Sequence, residues 1–152
     1  QYVESGEFDG SDEWTRIRVQ SGVPESGQDY TLGDVFPHDI SLDQNGGVDF
    51  KKGCYIGQEV VSRMHHRHTA RRRILIASST QGFGDETAIV SNGKALGTLG
   101  TKTGNLALAL CRIDRVKDAM DARQQIAVGD AVITLALPPS VSYDWPAEAE
   151  NG

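Results

Sequence analysis

The chain has little cysteine, few aromatic residues and no long apolar run. Only Cys54 and Cys111 occur in its 152 residues, which excludes a disulfide-stabilised scaffold and favours a reducing compartment, so we predict a cytoplasmic protein. No apolar run is long enough to cross a membrane, and the first residues lack a basic-then-apolar signal peptide. The first residue is Gln1, so we expect a piece of a longer protein. The net charge of −6 argues against general nucleic-acid binding.

Positive charge is concentrated in one stretch. Residues 51–73 hold seven of the fifteen Lys and Arg and three of the four His, with Glu59 as the single acid. The histidines suggest a metal, but no second thiol or H-x-x-x-H pair accompanies them, so a solvated basic face is favoured and no metal site is predicted. The arginines form either an anion site for carboxylate or phosphate or a solvated helix–strand junction. These residues are His65, His66 and His68, and Arg63, Arg67, Arg71, Arg72 and Arg73.

Helical signals occupy the first half of the chain. SDEWTRIRVQ predicts a short helix with Ser11 at its N-cap and Gly22 at its C′ position. Trp14, Ile17 and Ser21 fall near one face of that helix. After a polar connector with turn signals, GQEVVSRMHHRH predicts a second helix over residues 57–68.

From Arg73 onward the apolar pattern has the period of a strand. RILIAS, ETAIVSNGKALGTLG, NLALALCRI and DAVITLAL predict short strands, and SNGK predicts a two-residue hairpin. In NLALALCRI the three leucines share one face, and Ala107, Ala109 and Cys111 share the other. IDRVKDAMDARQQ predicts a helical insertion between strands.

These patterns predict an α+β fold in three parts. Residues 1–69 form a helical and irregular segment, and residues 70–138 form a small antiparallel β-barrel. Residues 139–152 form an acidic tail that we expect to be poorly ordered.

Cys54 is the residue whose surroundings call most for an explanation. It lies just before the predicted second helix, behind Lys51 and Lys52, and both the helix dipole and the lysines favour the reactive thiolate. A cysteine packed under Tyr55 at a turn is the alternative, and the residues alone do not separate the two. Cys111, by contrast, is predicted to lie in the core.

Residues 52–59, KGCYIGQE, resemble the signature K-G-C-[YF]-x-G-Q-E of the folate-binding YgfZ family. Members of this family are relatives of the glycine-cleavage T-protein, an aminomethyltransferase. RIRVQSGVP and FPHDISLDQNGGVDF, at residues 16–24 and 36–50, are similar to the family's approach to the motif. The resemblance identifies residues 1–69 as the end of the T-protein-like region and residues 70–138 as the C-terminal barrel.

The resemblance implies a ligand and a set of site residues. Full-length members resemble a ring of three domains that holds tetrahydrofolate, and half of that pocket would lie upstream of this chain. We therefore expect the chain alone to bind tetrahydrofolate weakly or not at all. Cys54 is the candidate functional thiol. The implied cofactor-binding residues are Arg18, Lys52, Gly53, Tyr55, Gly57, Gln58 and Glu59.

The resemblance also implies two functions from different classes. The first is a tetrahydrofolate-binding accessory protein that supports iron–sulfur protein maturation or repair, with iron–sulfur client or assembly proteins as partners. The alternative is a tetrahydrofolate-dependent aminomethyl or one-carbon transferase. T-proteins usually lack a cysteine at the position of Cys54, which favours the first function and leaves enzymatic activity undecided.

Overall fold

The computed structural model describes residues 10–47, 49, 51 and 71–147. Helix α1 spans Gly10–Gln20, one residue earlier than the predicted Ser11 cap. Asp12 and Glu13 lie in its first turn and Arg18 in its last, as the helix dipole favours. Gly22 ends the helix at φ 71°, a left-handed conformation that glycine adopts without steric cost.

The buried face of α1 differs from the predicted apolar face. Trp14 and Ile17 are 62% and 46% exposed, whereas Arg18 and Val19 are buried. Val19 packs against Ile74 of the sheet, and Arg18 finds polar partners, so two adjacent residues attach the helix. The sequence pattern predicted the position and the end of α1 correctly. The face that it assigned to the core, with Trp14 and Ile17, is the exposed one.

Seven strands and one further helix follow. The strands are β1 (Arg72–Ser78), β2 (Ala88–Ser91), β3 (Lys94–Thr103), β4 (Leu106–Arg112), β5 (Ile126–Val128), β6 (Ala131–Val132) and β7 (Thr134–Ala136), and helix α2 (Ile113–Asp121) lies between β4 and β5. Asn92 and Gly93, both at positive φ, form the predicted turn between β2 and β3. The predicted hairpin, the strands at RILIAS and NLALALCRI and the helical insertion are present. DAVITLAL forms two short strands, β6 and β7, instead of one, and β5 was not predicted.

The strands form one antiparallel sheet that is nearly closed into a barrel. Their order is β6-β5-β2-β3-β4-β1-β7. The two end strands are adjacent in sequence, with Ile133 alone between them. β6 pairs with β5 and β7 with β1, and Ile133 donates its backbone N–H to Ile126 O at 3.0 Å. One short run of chain thus joins both edges of the sheet, and the predicted antiparallel barrel is confirmed.

Strand β4 shows how the sequence builds two cores. Ala107, Ala109 and Cys111 face the barrel interior with Leu75, Ile89 and Val116. Leu108 faces outward, flanked by the partly buried Leu106 and Leu110, and receives Val19 of α1. Small residues on the inner face suit a narrow barrel, and the leucines on the outer face supply the apolar surface on which α1 packs. The predicted division of these side chains is confirmed.

Helix α2 covers the barrel with one apolar face. Ile113, Val116 and Ala119 are buried against the interior cluster. Their i, i+3, i+6 spacing places them along one side of the helix. In residues 10–47 and 71–147, neither helix has the length and hydropathy that a membrane span requires.

The predicted second helix at residues 57–68 lies outside the described residues. The structure describes residues 139–147 of the predicted acidic tail and gives some of them contacts with the rest of the molecule, and the expected poor order of the tail stays a prediction. Trp145 contacts the interior core, and Ser142 donates from both its backbone N–H and its hydroxyl to Gln44 Oε1, each at 2.8 Å. The acidic composition indicated a solvated tail, but the aromatic side chains of Tyr143 and Trp145 supply apolar surface that can be buried against the rest of the molecule.

Candidate functional site

Residues 52–59, which carry the motif, lie outside the described residues. The same holds for the implied folate-binding residues of the motif, for Cys54, for the three histidines of the basic stretch, and for Arg63 and Arg67. The structure instead places the chain on either side of this segment. Residues 24–47, here called the connector, lie before it, and β1 follows it from Arg72.

The two flanks meet in a cluster that we call the arginine joint: Arg72 and Arg73 of β1 with Asp39 and Asp43 of the connector. Arg73 Nη1 donates to Asp43 Oδ1 at 2.7 Å and to the backbone oxygen of His38 at 2.8 Å. The side chains of Arg73 and Asp43 are 8% and 4% exposed. Because both charges are buried, each depends on the other for its partner.

Arg72 makes the second pair of the joint. Its Nη2 donates to Asp39 Oδ2 at 2.7 Å and to the backbone oxygen of Asp34 at 2.6 Å. Asp39 also accepts the backbone N–H of Phe36 at 2.9 Å. The Asp39 side chain is buried, while that of Arg72 is partly exposed. Arg72 therefore binds the connector from the rim of the joint and Arg73 from its interior.

These contacts correct the interpretation of Arg72 and Arg73 as a solvated junction. Arg73 is buried against Asp43, and the partly exposed Arg72 pairs with Asp39. Adjacent side chains on a strand point to opposite faces, yet the connector supplies an acid to each of these arginines. The acid partners lie 33 and 30 residues away in sequence.

Arg18, the one implied folate residue that the structure describes, is enclosed by its own chain. Nη1 donates to Asp29 Oδ2 at 2.6 Å and to Val23 O at 2.9 Å, and Nη2 donates to Thr101 Oγ1 at 2.7 Å. The third nitrogen, Nε, lies 3.6 Å from Glu25 Oε2. The side chain is 4% exposed. These contacts give Arg18 a structural role, and they leave folate binding by Arg18 a prediction without support from the geometry.

Asp29 also binds strand β3. Its Oδ1 accepts the backbone N–H of Thr101 at 2.6 Å, at the point where the register between β3 and β4 shifts. A Cβ on the neighbouring Gly100 would lie 2.2 Å from Asp29 Oδ1. Glycine is therefore needed at residue 100 for the carboxylate to reach the strand.

A third set of contacts brings the C-terminal residues onto the joint. The Tyr143 ring lies under the Arg73 guanidinium, with 4.2 Å from Cζ to the ring centroid. Burial raises the pKa of the Tyr143 hydroxyl, an effect that the Ser41 hydroxyl and the Arg73 charge partly offset. Ser41 is itself buried and has φ 60°, which is uncommon for a residue with a side chain.

A shallow cleft of about 310 Å³ separates the connector from the outer face of the barrel. Tyr30, Asp34 and Arg72 line its polar side, and Leu99 and Leu110 line its apolar side. Among the described residues, no group of three His, Cys, Asp or Glu is arranged to hold a metal ion.

Cys111 contrasts with the surroundings predicted for Cys54. It is fully buried in the barrel interior, and burial raises the pKa of its thiol from the ordinary 9.0 to about 12. The thiol is therefore protonated and enclosed, and the prediction that Cys111 belongs to the core is confirmed.

The sequence did contain a signal for the joint that motif searching missed. The connector has no Lys or Arg, and aspartates recur along it directly before the basic stretch of residues 51–73. Opposite charges in two adjoining segments favour pairing between them. The aspartates are Asp29, Asp34, Asp39 and Asp43.

Residues 71–143 match the family model described as the CAF17 C-terminal beta-barrel domain. These limits enclose all seven strands, α2 and Tyr143. Residues 71–143 are thus similar to that barrel domain. The barrel thus includes both Arg72 and Arg73 of the arginine joint.

Curated relatives extend the similarity beyond residues 71–143. The chain is 33% identical to the human iron-sulfur cluster assembly factor IBA57, mitochondrial, over 85% of the chain and 36% of the relative. It is 28% identical to the mouse protein of that name over 97% of the chain and 42% of the relative. It is 28% identical to the Coccidioides immitis homolog over 69% of the chain and 31% of the relative. The chain thus spans about a third of the length of these relatives.

These relatives correct the predicted cytoplasmic location. All three are named mitochondrial. The prediction rested on the scarcity of cysteine, which separates reducing from oxidising compartments. Composition of this kind does not distinguish one reducing compartment from another.

Proposed function

We propose that this chain is part of a mitochondrial iron–sulfur cluster assembly factor. The observation that carries the proposal is the similarity to relatives of that name over most of the chain. The match of residues 71–143 to the CAF17 C-terminal beta-barrel model agrees with it. The partners are then iron–sulfur assembly or client proteins, and the cluster is the cargo rather than a resident cofactor.

Cys54 is the working thiol in this proposal. It is the cysteine of the motif KGCYIGQE, and Lys51 and Lys52 before it favour its thiolate form. Cys111 does not fit this role, because it is buried and its thiol pKa is raised to about 12. Of the two cysteines, Cys54 is therefore the one with the chemistry to contact a cluster, a partner or an oxidised thiol.

Tetrahydrofolate is the proposed cofactor, on the strength of the motif resemblance. Of the implied folate residues, Arg18 is left out, since its three nitrogens face groups of its own chain. The proposal assigns the contact to the motif residues Lys52, Gly53, Tyr55, Gly57, Gln58 and Glu59. When bound, tetrahydrofolate would supply one-carbon carrier chemistry.

Complementation of cells that lack their own homologue tests the proposal. Full-length wild-type protein should restore the activity of mitochondrial enzymes that need an iron–sulfur cluster, relative to cluster-free enzymes of the same compartment. Cys54→Ala should fail to restore them at equal protein level, and Cys111→Ala should succeed. Full restoration by Cys54→Ala would remove the thiol from the mechanism.

Two further measurements test the transferase alternative and the proposed cofactor. Glycine-cleavage activity of the full-length protein with a supplied carrier protein would favour the aminomethyltransferase. Calorimetric titration with tetrahydrofolate tests the cofactor directly. We expect binding by the full-length protein that Lys52→Ala weakens and Arg18→Lys leaves unchanged, and no binding at all would reject folate.

A further inference from the structure

The dipeptide Asn-Gly, which is prone to spontaneous deamidation, occurs three times in the sequence. Asn45-Gly46 lies at the end of the connector and Asn92-Gly93 between β2 and β3, while Asn151-Gly152 lies outside the described residues. In this reaction the backbone nitrogen of the following residue attacks the asparagine side chain, and glycine leaves that nitrogen unshielded because it has no Cβ. The two described pairs share this chemistry, so their surroundings decide which of them reacts.

The side chain of Asn45 is folded towards the backbone nitrogen that attacks it in this reaction. Gly47 donates its backbone N–H to Asn45 Oδ1 at 3.2 Å, which holds the carboxamide beside the intervening Gly46 peptide. A donor on this oxygen polarises the carbonyl and stabilises the negative charge that develops when Cγ is attacked. Asn45, Gly46 and Gly47 are all exposed, so water and hydroxide reach the site.

Asn92 lies in a turn that is closed by strand pairing. Asn92 and Gly93 have φ 47° and 74°, and the residues on either side, Ser91 and Lys94, are paired between β2 and β3. Ring closure needs rotation about the backbone of the asparagine, and a two-residue turn between paired strands resists that rotation. Residues 45–47 lack this restraint, because they belong to none of the strands in the described part of the chain.

The reaction at Asn45 proceeds in two balanced steps. The Gly46 nitrogen loses its proton to solvent hydroxide and bonds to Asn45 Cγ, and the Cγ–Nδ2 bond breaks as the amide takes up a proton and leaves as ammonia. Water then opens the resulting succinimide. Hydrolysis at the side-chain carbonyl gives aspartate, and hydrolysis at the backbone carbonyl gives isoaspartate, whose main chain runs through the former side chain. Both products carry one more negative charge than asparagine.

Isoaspartate at residue 45 lengthens the main chain where the connector is closely packed. A Cβ on Gly47 would lie 2.5 Å from Leu42 Cδ2 and 3.0 Å from its Cβ, so the added backbone carbon must shift Gly47 against Leu42. Gln44, the residue before Asn45, accepts both hydrogen bonds from Ser142. The change therefore falls between two contacts that hold the end of the connector in place.

We infer that Asn45-Gly46 is a deamidation site of the folded chain, and that isoaspartate there loosens the connector by lengthening its main chain. Asp43, which pairs with Arg73 in the arginine joint, lies two residues before Asn45. Deamidation therefore weakens the attachment of the connector to the barrel as the protein ages. The inference does not depend on the proposed function, because it concerns only residues 41–47 and the joint.

Incubation of the purified chain at mildly alkaline pH tests the site. Peptide mapping by mass spectrometry follows Asn45 and Asn92 in the same sample, in buffer and in guanidinium chloride. We expect Asn45 to deamidate at least severalfold faster than Asn92 in buffer. The two rates should converge in denaturant, because unfolding removes the strand pairing around Asn92. Asn45→Ser removes the reacting amide and should abolish the first acidic product.

Hydrogen exchange of peptides covering residues 36–47 tests the consequence. Ion exchange and peptide mapping supply the isoaspartyl fraction, and Asn45→Asp is its matched control, with the same added charge and an unaltered main chain. We expect exchange to be severalfold faster in the isoaspartyl fraction and close to wild type in Asn45→Asp. A peptide covering β4 reports on the barrel and should exchange alike in all three chains.

Three results would overturn the inference. The first is deamidation of Asn92 in buffer at a rate equal to or above that of Asn45, since the fold would then not favour the connector pair. The second is wild-type exchange of residues 36–47 in the isoaspartyl fraction. The third is equally fast exchange in Asn45→Asp, which would attribute the loosening to the added charge and not to the longer main chain.

Discussion

Asp29 shows how one side chain can join three parts of the chain. Its carboxylate accepts from the Arg18 guanidinium, from the backbone N–H of Glu25 at 2.8 Å and from that of Thr101 at 2.6 Å. The side chain is 1% exposed. A buried carboxylate is tolerated where its charge and lone pairs are met, and here α1, the connector and β3 each contribute a donor.

We expect Asp29→Ala to lower the free energy of unfolding by about 3–5 kcal/mol, because it leaves the Arg18 charge buried without its carboxylate partner. Asp121→Ala is the matched control, since it removes an exposed i, i+4 pair with Lys117 and should cost about 0.5 kcal/mol or less. Urea denaturation of the two variants measures the difference. Equal losses of unfolding free energy in the two variants would show that the buried Arg18–Asp29 pair stabilises the chain no more than an exposed pair does.

Cys111 supplies a prediction about pH. Its folded-state pKa of about 12 lies above the ordinary 9.0, so the buried thiol contributes stability that is fully present below pH 9 and is lost as pH rises towards 12. Cys111→Ala should therefore show a smaller alkaline loss of stability than wild type. Unfolding free energies of both chains measured across this pH range give the comparison, and parallel curves would contradict the assignment.

Elements with internal periodicity were predictable, and contacts between distant elements were not. In β4 leucines alternate with smaller residues. This alternation predicted the two faces of the strand, because neighbouring residues on a strand point to opposite sides. Asn92-Gly93 predicted the turn between β2 and β3, because both residues tolerate positive φ. Trp14 and Ile17 were assigned to a buried face, since the sequence of a helix does not show which side meets the sheet.

The sequence predicted the motif of the candidate site but not how the surrounding residues pair in space. KGCYIGQE could be recognised from its letters alone. The pairing of Arg73 with Asp43 could not, because a connector without periodicity fixes no register for its acids. The role of Arg18 was likewise implied by resemblance, whereas its partners Asp29 and Thr101 lie 11 and 83 residues away.

Strand β3 carries a prediction at the scale of the element. Gly100→Ala would place a Cβ 2.2 Å from Asp29 Oδ1 and 2.9 Å from its Cα, so the strand and the connector must separate. We expect a loss of about 1–3 kcal/mol, as is usual for overpacking. Gly84→Ala is the control, because a Cβ there meets nothing within 4 Å. Thermal unfolding should separate the two, and a Gly100→Ala chain as stable as Gly84→Ala would be the contrary result.

At the scale of the whole molecule, a single residue joins the two edges of the barrel. Ile133 is 4% exposed and Val132 is 53% exposed. We expect Ile133→Ala to cost about 2–5 kcal/mol, as for other buried aliphatic truncations, and to speed hydrogen exchange in β5 and β7 together. Val132→Ala, one residue away, should be close to neutral. Faster exchange in only one of these strands would show that Ile133 does not couple the edges.

The arginine joint has a consequence for the covalent chain itself. Residues 10–47 attach to the barrel through two arginine–aspartate pairs, through the hydrogen bonds of Arg18 and Asp29 to Thr101, and through Val19. A peptide bond cut between residues 48 and 70 therefore does not remove their attachment. A chain nicked there at an engineered protease site should elute from a sizing column as one particle at high concentration. Dilution should then separate the pieces, since their association is no longer intramolecular. Residues 10–47 and the barrel would in that case be usable as a split pair that reports its own reassembly.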